Sequence, residues 1–437
     1  MLRTEFIEAA LWHGTLERAN AILAEHPELA RSDIHTAAIV GDDALVREFL
    51  ARDPASVHAK IPPYGGDALN YLCLSKYLRL EPERSAAFLR AARALLDAGA
   101  DPNTGFWTTG RHPERETALY GAAGVAHHEA MTRLLLERGA DPNDEEPVYH
   151  SPESHDLGAM KALVETGRVT PDNLSMMLIR KHDWHDYEGA RYLLEHGADP
   201  NAVRSRGWYP MHHALARDNA LRMFELLLDH GTDPLIVCDE LTAVARAARE
   251  GRSDVLELFR KRGIPVELTG VDRLIAACAM GDSAGARAIA EAEPSLRDEM
   301  LAMGGELLAR YAGTCNPPGV RALLDVGVPV DAPFPKGDGY WSEPPGSLAI
   351  HVAAWRACPP VVRLLLERGS PVDPPDAHGN TPLALAVKAC VDSYWTEYRS
   401  TESAAALLAA GASVRGVPFP CGWDEMDALL REHGAGG

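Results

Sequence analysis

The stretch "LLDAGADPN" at residues 95–103 returns as "LLERGADPN" at 135–143, as "LLEHGADPN" at 193–201 and as "LLDHGTDP" at 227–234. In each copy a leucine-rich segment typical of a helix runs into a glycine, which accepts the left-handed backbone that ends a helix. The Asp-Pro pair that follows favours a turn, because proline fixes φ. Four copies of one helix-and-turn ending predict a chain built from tandem repeats.

A second signature marks the start of the repeating unit. It is most complete in "DAHGNTPLALA" at 376–386 and is partly kept in "TALYGAA" at 117–123. In Thr381-Pro382-Leu383 the threonine can cap a helix, and the proline fits the first helical turn. Together the two signatures resemble the ankyrin repeat, and the resemblance extends over essentially the whole chain. It implies an all-α ankyrin-repeat solenoid of stacked helix-turn-helix units with projecting β-hairpin loops.

The two signatures place about twelve repeats, several of them degenerate, in one solenoid over 1–437. We divide it into degenerate N-terminal repeats (1–66), central repeats with the best endings (67–264), and C-terminal repeats with a capping helix at 423–434 (265–437). The predicted starts are near residues 5, 33, 67, 117, 148, 174, 209, 242, 272, 306, 347 and 381.

The turn between the two helices of a repeat can be located by counting. In ankyrin repeats a turn glycine lies twelve residues before the glycine of the ending, and counting back from Gly263 gives Gly251. The same count predicts turn residues at Gly14, Gly41, Gly281, His127, His155, His185 and Asn219. Asparagine and histidine are among the side chains that best accept positive φ. His155 and His185 are therefore interpreted as turn residues rather than as ligands.

Charge and composition restrict the partners of the chain. Its 437 residues carry a formal charge of −20, which disfavours nucleic acid and anionic membranes as partners. No uninterrupted apolar run approaches the roughly 18 residues that a membrane span needs. The seven cysteines are scattered without a CxxC spacing. We interpret them as reduced thiols and predict a cytoplasmic protein.

Aromatic residues cluster in segments that lengthen the predicted repeats. These are the insertions at 104–116, 332–346 and 391–403, together with a hairpin at 205–210. The aromatic binding candidates there are Trp107, Trp208, Tyr340, Trp341 and Trp395. Exposed on a hairpin tip, such rings would anchor a partner at low entropic cost. The alternative, that each ring folds back over its own repeat, stays open.

The central repeats differ because the segments between 145 and 219 that should form first helices are polar. Since neighbouring repeats stack about 10 Å apart, their side chains could converge in one pocket. The candidates for catalysis are His150, Glu153, His182, Asp183, His213 and Asp218, with Tyr149, Lys181, Trp184 and Arg217 as candidate binding residues.

Two functions follow from these patterns. The first is a protein that binds a protein partner of neutral or basic surface through the face of the first helices and the aromatic hairpin tips. The alternative is a small-molecule or metal-binding enzyme, hydrolytic or acid/base, that uses the polar pocket. Two histidines and a carboxylate suffice for Zn²⁺, and a His–Asp pair suffices for a general base. Without an HExxH or a phosphate loop, no metal ligand set and no cofactor is assigned, and enzymatic activity stays open.

Overall fold

The computed structural model describes residues 1–202 and 209–436. The chain is mostly helical with very few strands, as expected for an all-α repeat protein. It divides into two compact units, the first comprising 1–217 and 226–232 and the second 218–225 and 233–437. Among the described residues no helix is both long and apolar enough to cross a membrane.

The first unit consists of short helices that follow one another in antiparallel pairs. Its helices are α1 (Leu2–Ala10), α2 (Leu16–Glu25), α3 (Ile34–Ile39), α4 (Asp43–Arg52), α5 (Ala68–Cys73), α6 (Lys76–Leu80), α7 (Ser85–Asp97), α8 (Ala118–Tyr120, continued by a π-helix over Gly121–Val125), α9 (Glu129–Glu137), α10 (Glu145–His150), α11 (Gly158–Val164), α12 (Pro171–Asp183), α13 (Tyr187–Glu195) and α14 (Pro210–Ala216). Helix α15 (Leu221–Asp229) contains residues of both units.

Successive first helices of the pairs pack against one another in a row within this unit. Helix α3 contacts α5, α5 contacts α8, α8 contacts α10, α10 contacts α12, and α12 contacts α14. Second helices form a parallel series, in which α4 contacts α7, α7 contacts α9, and α9 contacts α11. The polar ends of α10, α12 and α14 are therefore neighbours, although they are about 30 residues apart in sequence.

A β-hairpin projects between two of these pairs. Strand β1 (Gly105–Trp107) and strand β2 (Arg115–Thr117) pair antiparallel, with Phe106 opposite Glu116. Phe106 is buried and stacks on the ring of Tyr64 at 5.2 Å between centroids. The hairpin is thus fixed to the core by one aromatic side chain. Its ordered strands lie within and next to the predicted 104–116 insertion.

The second unit repeats the helix-pair pattern and has two additional helices, α20 and α27. Its helices are α16 (Ala243–Arg249), α17 (Ser253–Lys261), α18 (Gly270–Ala279), α19 (Ser283–Ala292), α20 (Pro294–Ala302), α21 (Gly304–Gly313), α22 (Pro317–Val326), α23 (Ala349–Trp355), α24 (Pro359–Glu367), α25 (Pro382–Val391), α26 (Glu402–Ala409) and α27 (Asp424–Glu432). Here α21 packs on α23 and α23 on α25, while α22 packs on α24 and α24 on α26.

Helix starts follow the capping chemistry of the sequence. The Thr381 hydroxyl accepts the N–H of Ala384, and Pro382 occupies the first turn of α25. Thr117, Thr170 and Thr242 cap α8, α12 and α16 in the same way. Each cap satisfies a backbone donor that the helix itself cannot pair.

Some of the turns between paired helices lie at the positions that the twelve-residue count predicts, and others do not. His127, His185 and Gly251 have the expected positive φ, at 50°, 50° and 74°. Gly14 and His155 do not have positive φ. In the pair formed by α14 and α15 the left-handed residue is Asp218, with φ of 49°, rather than Asn219. The twelve-residue count therefore misses that turn by one position.

The interpretation of all seven cysteines as reduced thiols needs correction. Cys315, in the turn between α21 and α22, forms a disulfide with Cys358, which immediately precedes α24. Their Cα atoms are 5.6 Å apart, within the ordinary range for such a bond. The pairing was not visible in the sequence because 43 residues separate the two cysteines.

Candidate functional site

The polar ends of the neighbouring first helices α10, α12 and α14 form a connected set of charged side chains. At the end of α10 the His150 imidazole lies between two carboxylates. Its Nε2 is 3.2 Å from Glu146 and its Nδ1 is 2.9 Å from Glu153. Glu146 is one helical turn before His150, so this pair is a consequence of helix geometry.

Arg180 connects this end of α10 to α12. Its guanidinium pairs with Glu153 through one nitrogen and with Asp183 through another. The same group lies over the ring of Tyr149, with its central carbon 4.1 Å from the ring centroid. A guanidinium that bridges two carboxylates above an aromatic face combines charge pairing with cation–π attraction.

Asp183 continues the connection to α14 and to the residue after it. It is 2.8 Å from His213 Nε2 and accepts a hydrogen bond of 2.5 Å from Arg217 Nε. We refer to the whole set as the central ion-pair network. Its members are Glu146, His150, Glu153, Arg180, Asp183, His213 and Arg217.

Contacts within the network shift the pKa values of its ionisable groups. Burial opposes the charge on His150, but hydrogen bonds to Glu146 and Glu153 outweigh it and raise the pKa of the ring to about 9. Burial would raise the pKa of Asp183, but the hydrogen bonds from His213 and Arg217 and the charge of Arg180 hold it well below its usual value. At neutral pH the network therefore contains ionised carboxylates paired with cations.

This pairing limits the chemistry available to the network. A carboxylate bound to arginine and histidine is a weak base, since its pKa is lowered. Within residues 1–202 and 209–436, no group of three or more His, Cys, Asp or Glu side chains is arranged to hold a metal ion. The geometry is suited to holding neighbouring helices in register and to presenting fixed charges at their ends.

Two of the predicted site residues, Lys181 and His182, are fully buried. Lys181 was expected to bind a partner, but its side chain is 0% exposed. Its ammonium donates to the Ser154 carbonyl and to Asp186, both at 2.6 Å. The prediction needs correction because Lys181 links two neighbouring helix pairs from the inside.

His182 is also fully buried, with its ring 6.4 Å from that of His213. Burial, followed by the nearby charge of His213, lowers its pKa to about 3. A histidine in this position is neutral at physiological pH and faces the protein interior. It therefore does not share the surface position of His150 that the predicted pocket required.

The aromatic candidates have different environments. Trp107, on β1, is 64% exposed, and Trp184, at the end of α12, is 40% exposed. Tyr340 is partly exposed, whereas Trp341 is 8% exposed and stacks on Trp395 at 5.2 Å between centroids. Trp341 therefore folds back over its own unit, which is the alternative that the sequence left open. Trp208 lies outside the described residues.

Asp218 belongs to the second unit. It pairs with Arg252 at 3.0 Å and with Arg356 at 2.7 Å. The Arg356 guanidinium also covers the rings of Trp341 and Trp395, at 3.8 and 4.8 Å from their centroids. Asp218, proposed as catalytic, is thus held by two arginines of its own unit.

Sequence reasoning missed Glu146 and Arg180, although both carry a local signal. Glu146 precedes His150 by four residues and Arg180 precedes Asp183 by three, which are the spacings that place side chains on one helix face. The ion pair between Arg180 and Glu153 joins two neighbouring helix pairs, and no local spacing in the sequence indicates it.

Comparison with known proteins supports ankyrin repeats in the chain. Residues 178–228 match the family described as ankyrin repeats (many copies). A 73-residue segment is 41% identical to the Arabidopsis thaliana protein named "Putative E3 ubiquitin-protein ligase XBAT34", and this segment covers 16% of the chain and 19% of that protein. An 85-residue segment is 38% identical to cyclin-dependent kinase 4 inhibitor B of Rattus norvegicus, covering 18% of the chain and 62% of that relative.

Proposed function

We propose that the protein acts by binding a protein partner, and that ankyrin-type repeats, about twelve in number, extend along the whole sequence. The helix pairs on either side of residues 178–228 support this extension, because seven-residue first helices recur at α14, α16 and α23 and nine-residue second helices recur at α9, α13 and α17. Ankyrin repeats are typically protein-interaction modules. As part of the same proposal, the protein is cytoplasmic and its partner has a neutral or basic surface, given the charge of −20.

The observation that carries this proposal is the central ion-pair network. Its side chains stand at the ends of three adjacent helices, and the carboxylates of Glu153 and Asp183 are already neutralised by internal cations. A general base or a metal ligand requires an available lone pair, whereas a recognition surface requires fixed charges and aromatic area. Tyr149, His150 and Arg217 keep part of their surface in solvent.

A site-specific crosslinking experiment tests the proposal. The photoreactive residue p-benzoylphenylalanine is placed at Trp107 or Trp184, with Arg191 on the second helix α13 as a matched exposed control. We expect one protein to crosslink from Trp107 and Trp184 and not from Arg191, with mass spectrometry identifying it. Equal crosslinking at all three positions, or none, would contradict recognition through this surface.

A small-ligand site at the network is the second candidate. The observation in its favour is that four of the six predicted catalytic residues, His150, Glu153, Asp183 and His213, lie in one connected network. Elemental analysis of the purified protein and a thermal-shift screen of small metabolites test it. Under this candidate a ligand raises the unfolding temperature of the native protein and has no effect on Glu153→Gln.

A further inference from the structure

Glu116 on strand β2 is a buried acid with an unsatisfied oxygen. The residue is 4% exposed, and its carboxylate Oε2 has no hydrogen-bond partner within the described structure. Its backbone is fixed, because the carbonyl accepts a hydrogen bond of 3.0 Å from Asn70 Nδ2. An acid held in this position without a partner for one oxygen is costly, which points to a role outside the folding of the hairpin.

Strand β2 contacts α10, and the Glu116 carboxyl group faces the acidic start of that helix. Glu146 exerts the strongest charge effect on it, followed by Glu114 on the same hairpin, the opposing charge of His150, and Asp144. Glu146 and His150 are 17% and 27% exposed, so they form the solvent side of this cluster. Glu116 is the buried member of the cluster. Burial, and then the charges of Glu116 and Glu146, raise the pKa of Tyr120 on α8.

In the central ion-pair network a guanidinium already bridges two carboxylates over an aromatic ring. There Glu153 and Asp183 are bridged by the Arg180 guanidinium, which lies over Tyr149. Glu116, Glu146 and the ring of Tyr120 also combine two carboxylates with an aromatic ring, but they lie near the N-terminal ends of α8 and α10, and the cation beside Glu146 is the His150 imidazolium. In the described part of the chain no arginine pairs with either glutamate, and Arg115 donates instead to the Asn103 carbonyl.

We propose that Glu116 and Glu146 together bind the guanidinium group of an arginine side chain from the protein partner. The group reaches Glu146 from solvent, takes the place of His150 beside it, and approaches the unsatisfied oxygen of Glu116. A planar guanidinium can bridge two carboxylates in this way, whereas an ammonium acts as a single point charge. This inference rests on the proposed protein-binding function and deepens it by naming the recognised side chain.

Binding at this position is coupled to protonation. Burial, and then the charge of Glu146, raises the pKa of Glu116 to about 7, so near neutral pH about half of the molecules hold its proton. A bound guanidinium favours the ionised form and releases that proton, so affinity for arginine rises with pH through neutrality. His150, with a pKa of about 9, stays charged over the same interval.

The experiment follows the glutamate carboxyl carbons by nuclear magnetic resonance in the full chain labelled with ¹³C-glutamate. The probe is N-acetyl-arginine amide, and the isosteric, uncharged N-acetyl-citrulline amide is its control. Glu116→Gln assigns the signal, Glu146→Gln removes the second carboxylate, and Glu188→Gln on α13 is a matched control for an exposed glutamate.

We expect arginine amide to shift the Glu116 and Glu146 signals and to lower the pKa of Glu116. We also expect the response to disappear in Glu116→Gln and Glu146→Gln and to persist in Glu188→Gln. A Glu116 signal that titrates identically with arginine amide and with citrulline amide overturns the inference, and the crosslinking test of protein binding then still stands. If arginine amide binds but no partner crosslinks, the guanidinium site stands and the protein-binding proposal falls.

Discussion

At the scale of single residues, the structure places some charged side chains where the residue type alone would not predict them. A lysine at the end of a polar helix is normally a surface group, yet Lys181 is completely enclosed. Gly189 explains part of this, because a Cβ there would lie 2.5 Å from Lys181 Cε. Because glycine at position 189 of α13 has no side chain, there is space for the lysine of α12.

Removing this buried ammonium should destabilise the first unit. In Lys181→Met the Asp186 carboxylate stays buried without its cation, and breaking a buried ion pair on one side costs about 3–5 kcal/mol. The free energy of unfolding, from urea denaturation, measures the loss. Lys181→Met combined with Asp186→Asn should recover much of it, since asparagine can still cap α13 at Gly189. A double variant no more stable than the single one would contradict the ion-pair explanation.

Glu116 provides a residue-scale prediction with a defined pH window. Its pKa is raised from 4.5 to about 7 on folding, so between these values the unfolded chain ionises first and stability falls as pH rises. Glu116→Gln removes this loss and should stabilise the protein by about 1–3 kcal/mol near pH 8, with little gain near pH 4. Urea denaturation across this pH range measures the difference. An equal effect at both ends would show that Glu116 has an ordinary pKa in the fold.

At the scale of helices and turns, local chemistry made much of the structure predictable. Helix starts at capping threonines and left-handed turns at His127 and His185 follow from rules that act within a few residues. The left-handed turn at Asp218 rather than Asn219 shows where counting alone fails. Ion pairs such as that of Arg356 with Asp218 join residues 138 positions apart, and no local pattern indicates them.

The disulfide is an element-scale link, because it joins the α21–α22 turn to the start of α24. Closing a loop of 43 residues should stabilise the second unit by about 2–4 kcal/mol through the unfolded state. Comparing urea denaturation with and without a reductant measures this, and thiol titration should show a gain of two thiols on reduction. The double variant Cys315→Ser with Cys358→Ser should have the same free energy of unfolding as the reduced protein, with or without the reductant. A native protein whose free energy of unfolding does not change with the reductant would argue against the bond.

At the scale of the whole molecule, periodicity in the sequence was enough to predict an all-α repeat architecture, since the leucine-rich endings recur at related spacing. The candidate site was predicted only in outline. His150, Glu153, Asp183 and His213 do lie together, but Lys181 and His182 are interior. Helical periodicity shows which residues share a face, but the depth of each side chain depends on the neighbouring pair, such as the space left by Gly189.

Net charge gives a prediction for the molecule as a whole. A charge of −20 destabilises the compact state by self-repulsion, and salt shortens the range of that repulsion from about 30 Å at 0.01 M to about 8 Å at 0.15 M. We therefore expect the midpoint of thermal unfolding to rise over this interval of sodium chloride concentration. The cost of Lys181→Met should be nearly the same at both concentrations, because a fully enclosed pair is poorly screened. A midpoint that falls with salt would mean that exposed ion pairs, rather than net repulsion, dominate the electrostatic free energy of the fold.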